Sequence, residues 1–395
     1  MRRLKPTEFY QGWVRDVDFV RKTIRVEANT EYDLAAARNP DKTQLPTDER
    51  LAQPDHFDVP YDKLVLAVGC FTQTFGVEGV LEHACFLRDV PDARIIRLKV
   101  LRAFEKAALP TTTNAERRKL LHFAVVGGGP TGIEFAAELH DLIHEDLRRL
   151  YPNLMRFVAI TIYDIAPKVL PMFDQSLASY ATDLFHRQGI QVKTEHHLNR
   201  IRREGDHLCL RFSKMDEEVG AGVVVWSTGI TQNPLLRKLQ GKKMDDKGTT
   251  IAREPRTGGI VTDEHLRVQL ESPSGDGTRT TLPDVFAMGD CAAVGKNNYP
   301  ATAQVASQQA IYLGRRLNKG DLDVVPFHFR NWGTMAYLGG WRAIHQSSSD
   351  GLRGRAAWIL WRTAYLTKSM SIRNKILIPV YWAITWIFGR DISRF

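Results

Sequence analysis

The sequence predicts an α/β chain organised around a doubly wound nucleotide-binding unit. Three observations carry that prediction. The apolar run Phe123-Ala-Val-Val leads directly into Gly127-Gly-Gly129-Pro-Thr-Gly132. A helical pattern, Ile133-Glu134-Phe-Ala-Ala-Glu138-Leu139, opens at once behind it. A second apolar strand, Phe157 to Tyr163, then ends in Asp164. Gly127 makes the tight turn, Gly129 lets the backbone approach a pyrophosphate, and Gly132 lets helix and strand pack closely. The helix N-terminus offers free N–H groups to that pyrophosphate. Asp164 stands where an acid holds the adenine ribose. No arginine follows it to meet a 2′-phosphate, which favours NAD over NADP, with Lys168 as the opposing feature. The 37 residues from Gly127 to Asp164 exceed the usual ~20. A helix from Pro130 to about Leu150, stopped by Tyr151-Pro152-Asn153, accounts for the surplus.

Taken in order, Tyr10 to Val26 alternates as a β-hairpin, and residues 29–60 are polar and proline-containing, so they read as a loop. Tyr61 to Gly69 is a buried strand ending in glycine, of the kind that brings a chain close to a cofactor. Before Gly69 the sequence has only Gly12, so it offers no phosphate-cradling loop there. Residues 86–110 are helical in pattern. Asp174 to Gln188 is a helix capped by Asp174 and closed by Gly189. Val223-Val-Val-Trp-Ser-Thr228-Gly229 is a strand running into glycine, and residues 118–262 form one mononucleotide-binding domain. Residues 1–117 and 263–325 then belong to a second domain, and 326–395 to a C-terminal region.

Pro283 to Asp290 is a strand with Gly289 and Asp290 at its mouth. Asp290 either holds a cofactor hydroxyl or caps the next helix. Gln304 and Gln308 share one helix face with small residues between them, leaving room for a flat ligand; solvated glutamines are the plainer alternative.

The chain has 395 residues and a formal net charge of +9. Residues 353–395 carry eight Lys/Arg against Asp391, so +7 of that charge belongs to the tail. Ile376 to Phe388 is thirteen residues without a charge, flanked by Lys375 and Arg390. As a helix it spans about 20 Å, short of a ~30 Å hydrocarbon core. Trp358, Trp361, Trp382 and Trp386 among cations suit a segment lying in an anionic membrane surface. A core helix or dimer interface is the alternative. This interleaving of apolar and basic residues argues against nucleic-acid binding. The cysteines Cys70, Cys85, Cys209 and Cys291 form no C-x-x-C or metal spacing, so neither zinc nor a disulfide framework is expected.

Together these blocks resemble the type II NADH dehydrogenases, single-subunit NADH:quinone oxidoreductases that pump no protons. The resemblance runs from about Phe9 to the end. It rests on the glycine block, Trp226-Ser-Thr-Gly229, Ala287-Met-Gly-Asp290, Ala303-Gln-Val-Ala-Ser-Gln308 and Tyr337-Leu-Gly-Gly-Trp-Arg-Ala343. It implies a two-dinucleotide-binding-domain flavoprotein with a membrane-anchoring C-terminus, similar to fungal mitochondrial members of the inner membrane. By that resemblance Gly127, Gly129, Gly132 and Asp164 hold NADH, with Glu134, Thr228 and Gly229 near the nicotinamide. Gly69, Gly289, Asp290 and Gln304 meet FAD, and Gln304 and Gln308 line the ubiquinone path. Trp358, Trp361, Lys375, Trp382 and Trp386 rest on the membrane, and a homodimer is compatible. No metal is implied.

One departure stands out. The family begins with its own Gly-x-Gly-x-x-Gly for the FAD pyrophosphate, and this sequence starts after it. The first domain is therefore expected to be truncated, through an incomplete reading frame or a natural short form, with FAD weakened or lost. A flavin-free, NADH-binding, membrane-associated remnant is the alternative function. A soluble disulfide reductase is disfavoured by Ala-Gln-x-Ala-x-Gln and the tryptophan-rich tail.

Overall fold

The computed structural model describes residues 7–28 and 56–392, apart from 214, 247, 274–276, 296, 298, 348, 349, 370 and 391. Chain contacts divide it into two compact units, residues 72–229 with 332–395, and residues 1–71 with 230–331.

The first unit is built on a five-stranded parallel sheet. Its order is Cys85–Phe86, Val223–Trp226, His122–Val126, Ala159–Tyr163 and Ile190–Lys193. The central strand alternates between two cores. Phe123 and Val125 pack with Ile133, Ala136 and Phe185 on one face, while Ala124 and Val126 pack with Tyr163, Phe212 and Trp226 on the other. That is why the strand reads as a continuous apolar run rather than a half-buried alternation. The boundary at residue 118 drawn from sequence falls here at residue 72. Two features draw the earlier segment in. Cys85–Phe86 hydrogen-bonds to the sheet edge, and helix Val90–Ala108 buries Ile96, Val100 and Phe104 in the larger core.

Helix Pro130–Asp141 starts at Gly129 and continues through a π-helical stretch, Leu142–Leu147, to Leu150. Ile143 and Leu147 are fully buried within that stretch. The long interval before Asp164 is thus helix, as its pattern requires, ended by a 3-10 turn at Pro152–Phe157. Helix Gln175–Gln188 is capped by the Asp174 carboxylate accepting from the Leu177 amide at 2.9 Å, and Gly189 closes it at φ +78°.

The C-terminal region adds an antiparallel sheet, Thr334–Tyr337, Ala343–Gln346 and Gly351–Gly354, followed by helices Arg355–Lys368 and Ile372–Phe388. Ala336, Tyr337, Leu338 and Ile344 are buried in the same core as the glycine-loop helix. The last helix differs in kind: none of its residues is buried. Among the described residues no helix is long and apolar enough to cross a membrane.

In the second unit the hairpin forms as Gly12–Asp18 against Thr23–Ala28. The reading of residues 29–60 as loop is corrected at its end, because His56–Pro60 is a third strand with Phe57 opposite Val26 and Val59 opposite Ile24. Five residues, two of them polar or charged and one a proline, are too short a run to announce a strand. Residues 29–55 lie outside the described set. A larger sheet orders Ala292–Val294, Ile260–Thr262, Arg267–Glu271, Arg279–Ala287 and Leu64–Leu66. Ile260–Thr262 pairs in register with Ala292–Val294, so residues 230–262, read from sequence as the end of the nucleotide-binding domain, pack in this unit. Helix Ala303–Lys319 follows, capped by Thr302.

Candidate functional site

The glycine loop has a separate physical reason for each glycine. Gly127 sits at φ +116°, where L side chains are strained, and a Cβ there would stand 3.0 Å from Ser227. A Cβ on Gly132 would lie 1.9 Å from the Gly127 carbonyl oxygen, so helix and loop touch only because this residue has no side chain. Gly129 is the informative case. Its φ is −74° and an added Cβ would meet nothing within 4 Å. Neither backbone conformation nor packing within the protein requires glycine there, so the loop is open at this residue.

Asp164 stands beside this loop at the end of the adjacent strand. Its Oδ1 accepts from the Ala166 amide at 2.7 Å, and its Oδ2 accepts from the Gly128 amide. The acid therefore braces the loop itself. Gly229, at φ +73°, closes the neighbouring strand, and its carbonyl accepts from the Gln73 amide at 3.2 Å. Thr228 beside it is half-buried.

Glu134, expected near the nicotinamide, is engaged from another direction. Its Oε1 accepts from the Tyr337 amide at 2.9 Å and from the Trp361 indole N–H at 3.3 Å. Burial pushes its carboxyl above the usual carboxylate range, against the pull of those two bonds. One turn on, burial pushes the Glu138 carboxyl up to about 7, with Arg390 opposing and Asp141, Glu134 and Glu145 reinforcing. The Glu138 side chain is nonetheless 53% exposed, so solvent screens part of that shift. The Tyr337 hydroxyl donates to Asp141 Oδ2 at 2.7 Å. Burial pushes Asp141 up, but bonds from His140, Tyr337 and the Gly340 amide prevail and hold it below its ordinary value. Arg390 closes the group, reaching Glu145 at 2.6 Å and Asp146 at 3.0 Å. A cavity of about 820 Å³ lies between these acids and Trp341, Trp358, Trp361 and Trp382.

The five residues expected at a membrane surface divide. Trp361 turns inward, stacked on Tyr337 at 5.3 Å and bonded to Glu134. Trp358 and Trp382 are half-buried, with the Arg362 guanidinium 4.9 Å and 3.8 Å from their ring centres. Trp386 and Lys375 are exposed, Trp386 at 74%. An indole needs a partner for its N–H when buried, and Glu134 supplies one to Trp361.

In the second unit the strand Arg279–Ala287 delivers Gly289 and Asp290. Gly289 is at φ +71°, and Asp290 Oδ2 accepts from the Cys70 thiol at 3.3 Å, next to Gly69 at φ +65°. A Cβ on Gly69 would meet nothing within 4 Å. Gln308 is bonded through both ends of its amide to the Arg330 backbone, at 2.9 and 3.0 Å. Gln304 is half-buried on the same helix. The sequence reading passed over Gln309, which is 1% exposed and accepts from the Gly289 amide at 2.7 Å. The Gln308-Gln309 doublet was the available signal, since adjacent helical residues face different ways. Cys70, Tyr337, Asp141 and Arg390 were likewise missed, because their partners are remote in sequence.

For a flavin dinucleotide, Gly69, Gly289 and Asp290 fit the sugar-alcohol chain: an open backbone, a carboxylate and a strand mouth converge. They do not fit its pyrophosphate. The one other glycine before Gly69, Gly12, is a packing glycine whose Cβ would lie 2.5 Å from the Glu27 carbonyl oxygen.

Comparison with known proteins gives two matching family models. Residues 7–310 match the pyridine nucleotide-disulphide oxidoreductase family, and residues 332–391 match the NDH2 C-terminal domain. A probable NADH dehydrogenase of Dictyostelium discoideum is 39% identical, over 90% of this chain and 74% of that protein. A probable mitochondrial NADH-ubiquinone oxidoreductase of Schizosaccharomyces pombe is 31% identical, over 98% of this chain and 71% of that protein. The solved NDH2 of Plasmodium falciparum in complex with NADH shares the fold, with a TM-score of 0.78 and 22% identity, covering 97% of this chain and 85% of that one. The glycine loop, the strand mouth at Asp290 and the tail packed on the loop helix thus have one explanation, and the chain belongs to the type II NADH dehydrogenase family.

Proposed function

We propose that this protein passes electrons from NADH to a membrane ubiquinone, with FAD as the intermediate carrier and without moving protons across the membrane. The observation that carries the reading is Gly129, a glycine required neither by its backbone angles nor by packing, at the mouth of the loop beside Asp164. Gly127 and Gly132 hold the loop so that helix Pro130–Asp141 directs its free N–H groups at the NADH pyrophosphate. Asp164 accepts from the adenine ribose and disfavours a 2′-phosphate, so NADH is the preferred donor. Glu134, Thr228 and Gly229 sit toward the nicotinamide end.

When bound, FAD supplies acceptance of hydride and release of two electrons to quinone. Asp290 binds its ribityl hydroxyls, and Gly69 and Gly289 leave room for it. Gln309 fixes the Gly289 amide and Cys70 orients the Asp290 carboxylate. Gln304 and Gln308 border the quinone path. The unburied helix Ile372–Phe388, with Lys375 and Trp386 exposed, rests on the mitochondrial inner membrane as a peripheral anchor. The family is consistent with this address, since several relatives are named as mitochondrial.

The test is the visible spectrum of the purified chain in mild detergent with added FAD. The expected result is a flavin band that bleaches with NADH and returns on adding ubiquinone. A bound flavin that NADH leaves unbleached rejects the reading. No retained flavin, with NADH still bound, assigns the chain to nucleotide binding without turnover.

A further inference from the structure

The hairpin formed by Leu198–Glu204 and His207–Phe212 brings three metal-ligating side chains to one face. Glu204 pairs directly with His207 across the two-residue turn, and Cys209 follows two positions on, on the same side as His207. One ligand atom from each lies within 4.8 Å of the others. The glycine loop and the tail are elsewhere, and nothing in the proposed electron transfer uses these residues.

The group contains an anomaly that packing does not explain. The His207 Nε2 is buried without a hydrogen-bond partner, and Glu204 Oε1 lies 3.7 Å away, beyond hydrogen-bond reach. A buried imidazole nitrogen lacking a partner is costly. The other Glu204 oxygen accepts from Arg202 at 2.6 Å, and Arg202 also grips Glu218. That leaves Oε1 turned toward the histidine. Cys209 is 6% exposed, yet the turn beside it opens to solvent, where Glu204 is 48% exposed. A metal therefore has a way in.

We infer that Glu204, His207 and Cys209 form a site for a single Zn²⁺ ion, with water as the fourth ligand. One carboxylate, one imidazole and one thiolate suit a borderline-soft divalent ion with no strong geometric preference. Bond lengths of about 2.0–2.3 Å require ligand atoms on the order of 3.5 Å apart, a small inward rotation from the observed spread. Coordination sends the Cys209 thiol proton to solvent. Glu204, Glu218, Asp206 and the thiolate then face Zn²⁺, Arg202 and Lys119. Chain spacing gave no zinc motif, because two of the ligands meet across the turn.

The test uses Co²⁺ as a spectroscopic substitute, added to the full chain stripped with a chelator. One equivalent is expected to give near-ultraviolet thiolate-to-cobalt absorption, erased by equimolar Zn²⁺. Cys209→Ser removes that absorption, and His207→Gln and Glu204→Gln each weaken Co²⁺ binding at least tenfold. Far-UV circular dichroism checks the fold of each variant, and Glu204→Gln, at an exposed turn, is the variant least exposed to folding loss. Absorption absent from the folded parent chain, or surviving in Cys209→Ser, overturns the site. So does unchanged affinity in both His207→Gln and Glu204→Gln.

Discussion

At the residue scale the loop separates glycines that the fold requires from Gly129, which we propose serves a ligand. Gly132→Ala puts a methyl 1.9 Å from the Gly127 carbonyl oxygen, so it is expected to destabilise the chain by about 3 kcal/mol, read by thermal denaturation. Gly129→Ala meets no protein atom and should leave the melting temperature unchanged while weakening NADH binding tenfold or more, read by fluorescence titration. Equal effects of the two variants on stability would refute this division of labour. Asp164→Ser tests the other contact. Removing the acid is expected to narrow the preference for NADH over NADPH and to loosen the loop, since the same carboxylate accepts from the Gly128 amide. Much of this was legible in the sequence. Strand, glycines, helix and acid are contiguous, so local rules place them. Gln309 was not legible. Its importance comes from the Gly289 amide twenty residues away, and no local pattern records that contact.

At the scale of elements, the tail is tied to the glycine-loop helix by carboxylates. Arg390→Met removes the partners of Glu145 and Asp146 and leaves Asp146, only 8% exposed, without its counter-charge. A loss of about 3 kcal/mol in tail docking is expected, read as faster protease cleavage near Gly389. Glu138 gives a pH dependence. Burial pushes its folded carboxyl up to about 7 from an ordinary value of 4.5, so its contribution is complete below 4.5 and is lost as pH rises through about 7. Docking should weaken between pH 5 and 8, by less than about 1 kcal/mol because the side chain is half exposed. Glu138→Gln should flatten that profile, and an unchanged slope would assign the dependence to another group. The sequence announced the tail helices by their apolar runs and flanking cations. It did not announce which indoles face inward, because Trp361 is distinguished from Trp386 only by what lies opposite it.

For the whole molecule, the proposed reading gives each cofactor its own unit. NADH would meet the glycine loop and Asp164, and FAD would meet Gly69, Gly289 and Asp290 along its sugar-alcohol chain. Asp290→Ala is expected to lower the flavin the protein keeps on gel filtration while leaving NADH binding unchanged, read by the ratio of flavin to protein absorbance. Full retention of flavin in the variant would remove Asp290 from the flavin site. The fold class was legible because His122–Val126 and Val223–Trp226 each run into a glycine and the strand between them in sequence, Ala159–Tyr163, ends in an acid. The assignment of residues 72–117 and 230–262 to units was not, since it depends on which sheet edge accepts Cys85–Phe86 and Ile260–Thr262. The bond from the Trp361 indole to Glu134 has an optical consequence. Glu134 stands five residues after Gly129, so if the proposed NADH site is right, the donor binds on the helix whose carboxylate holds this indole. NADH is then expected to change tryptophan emission by an amount that falls in Trp361→Phe; an equal change in that variant would place the responding indole elsewhere.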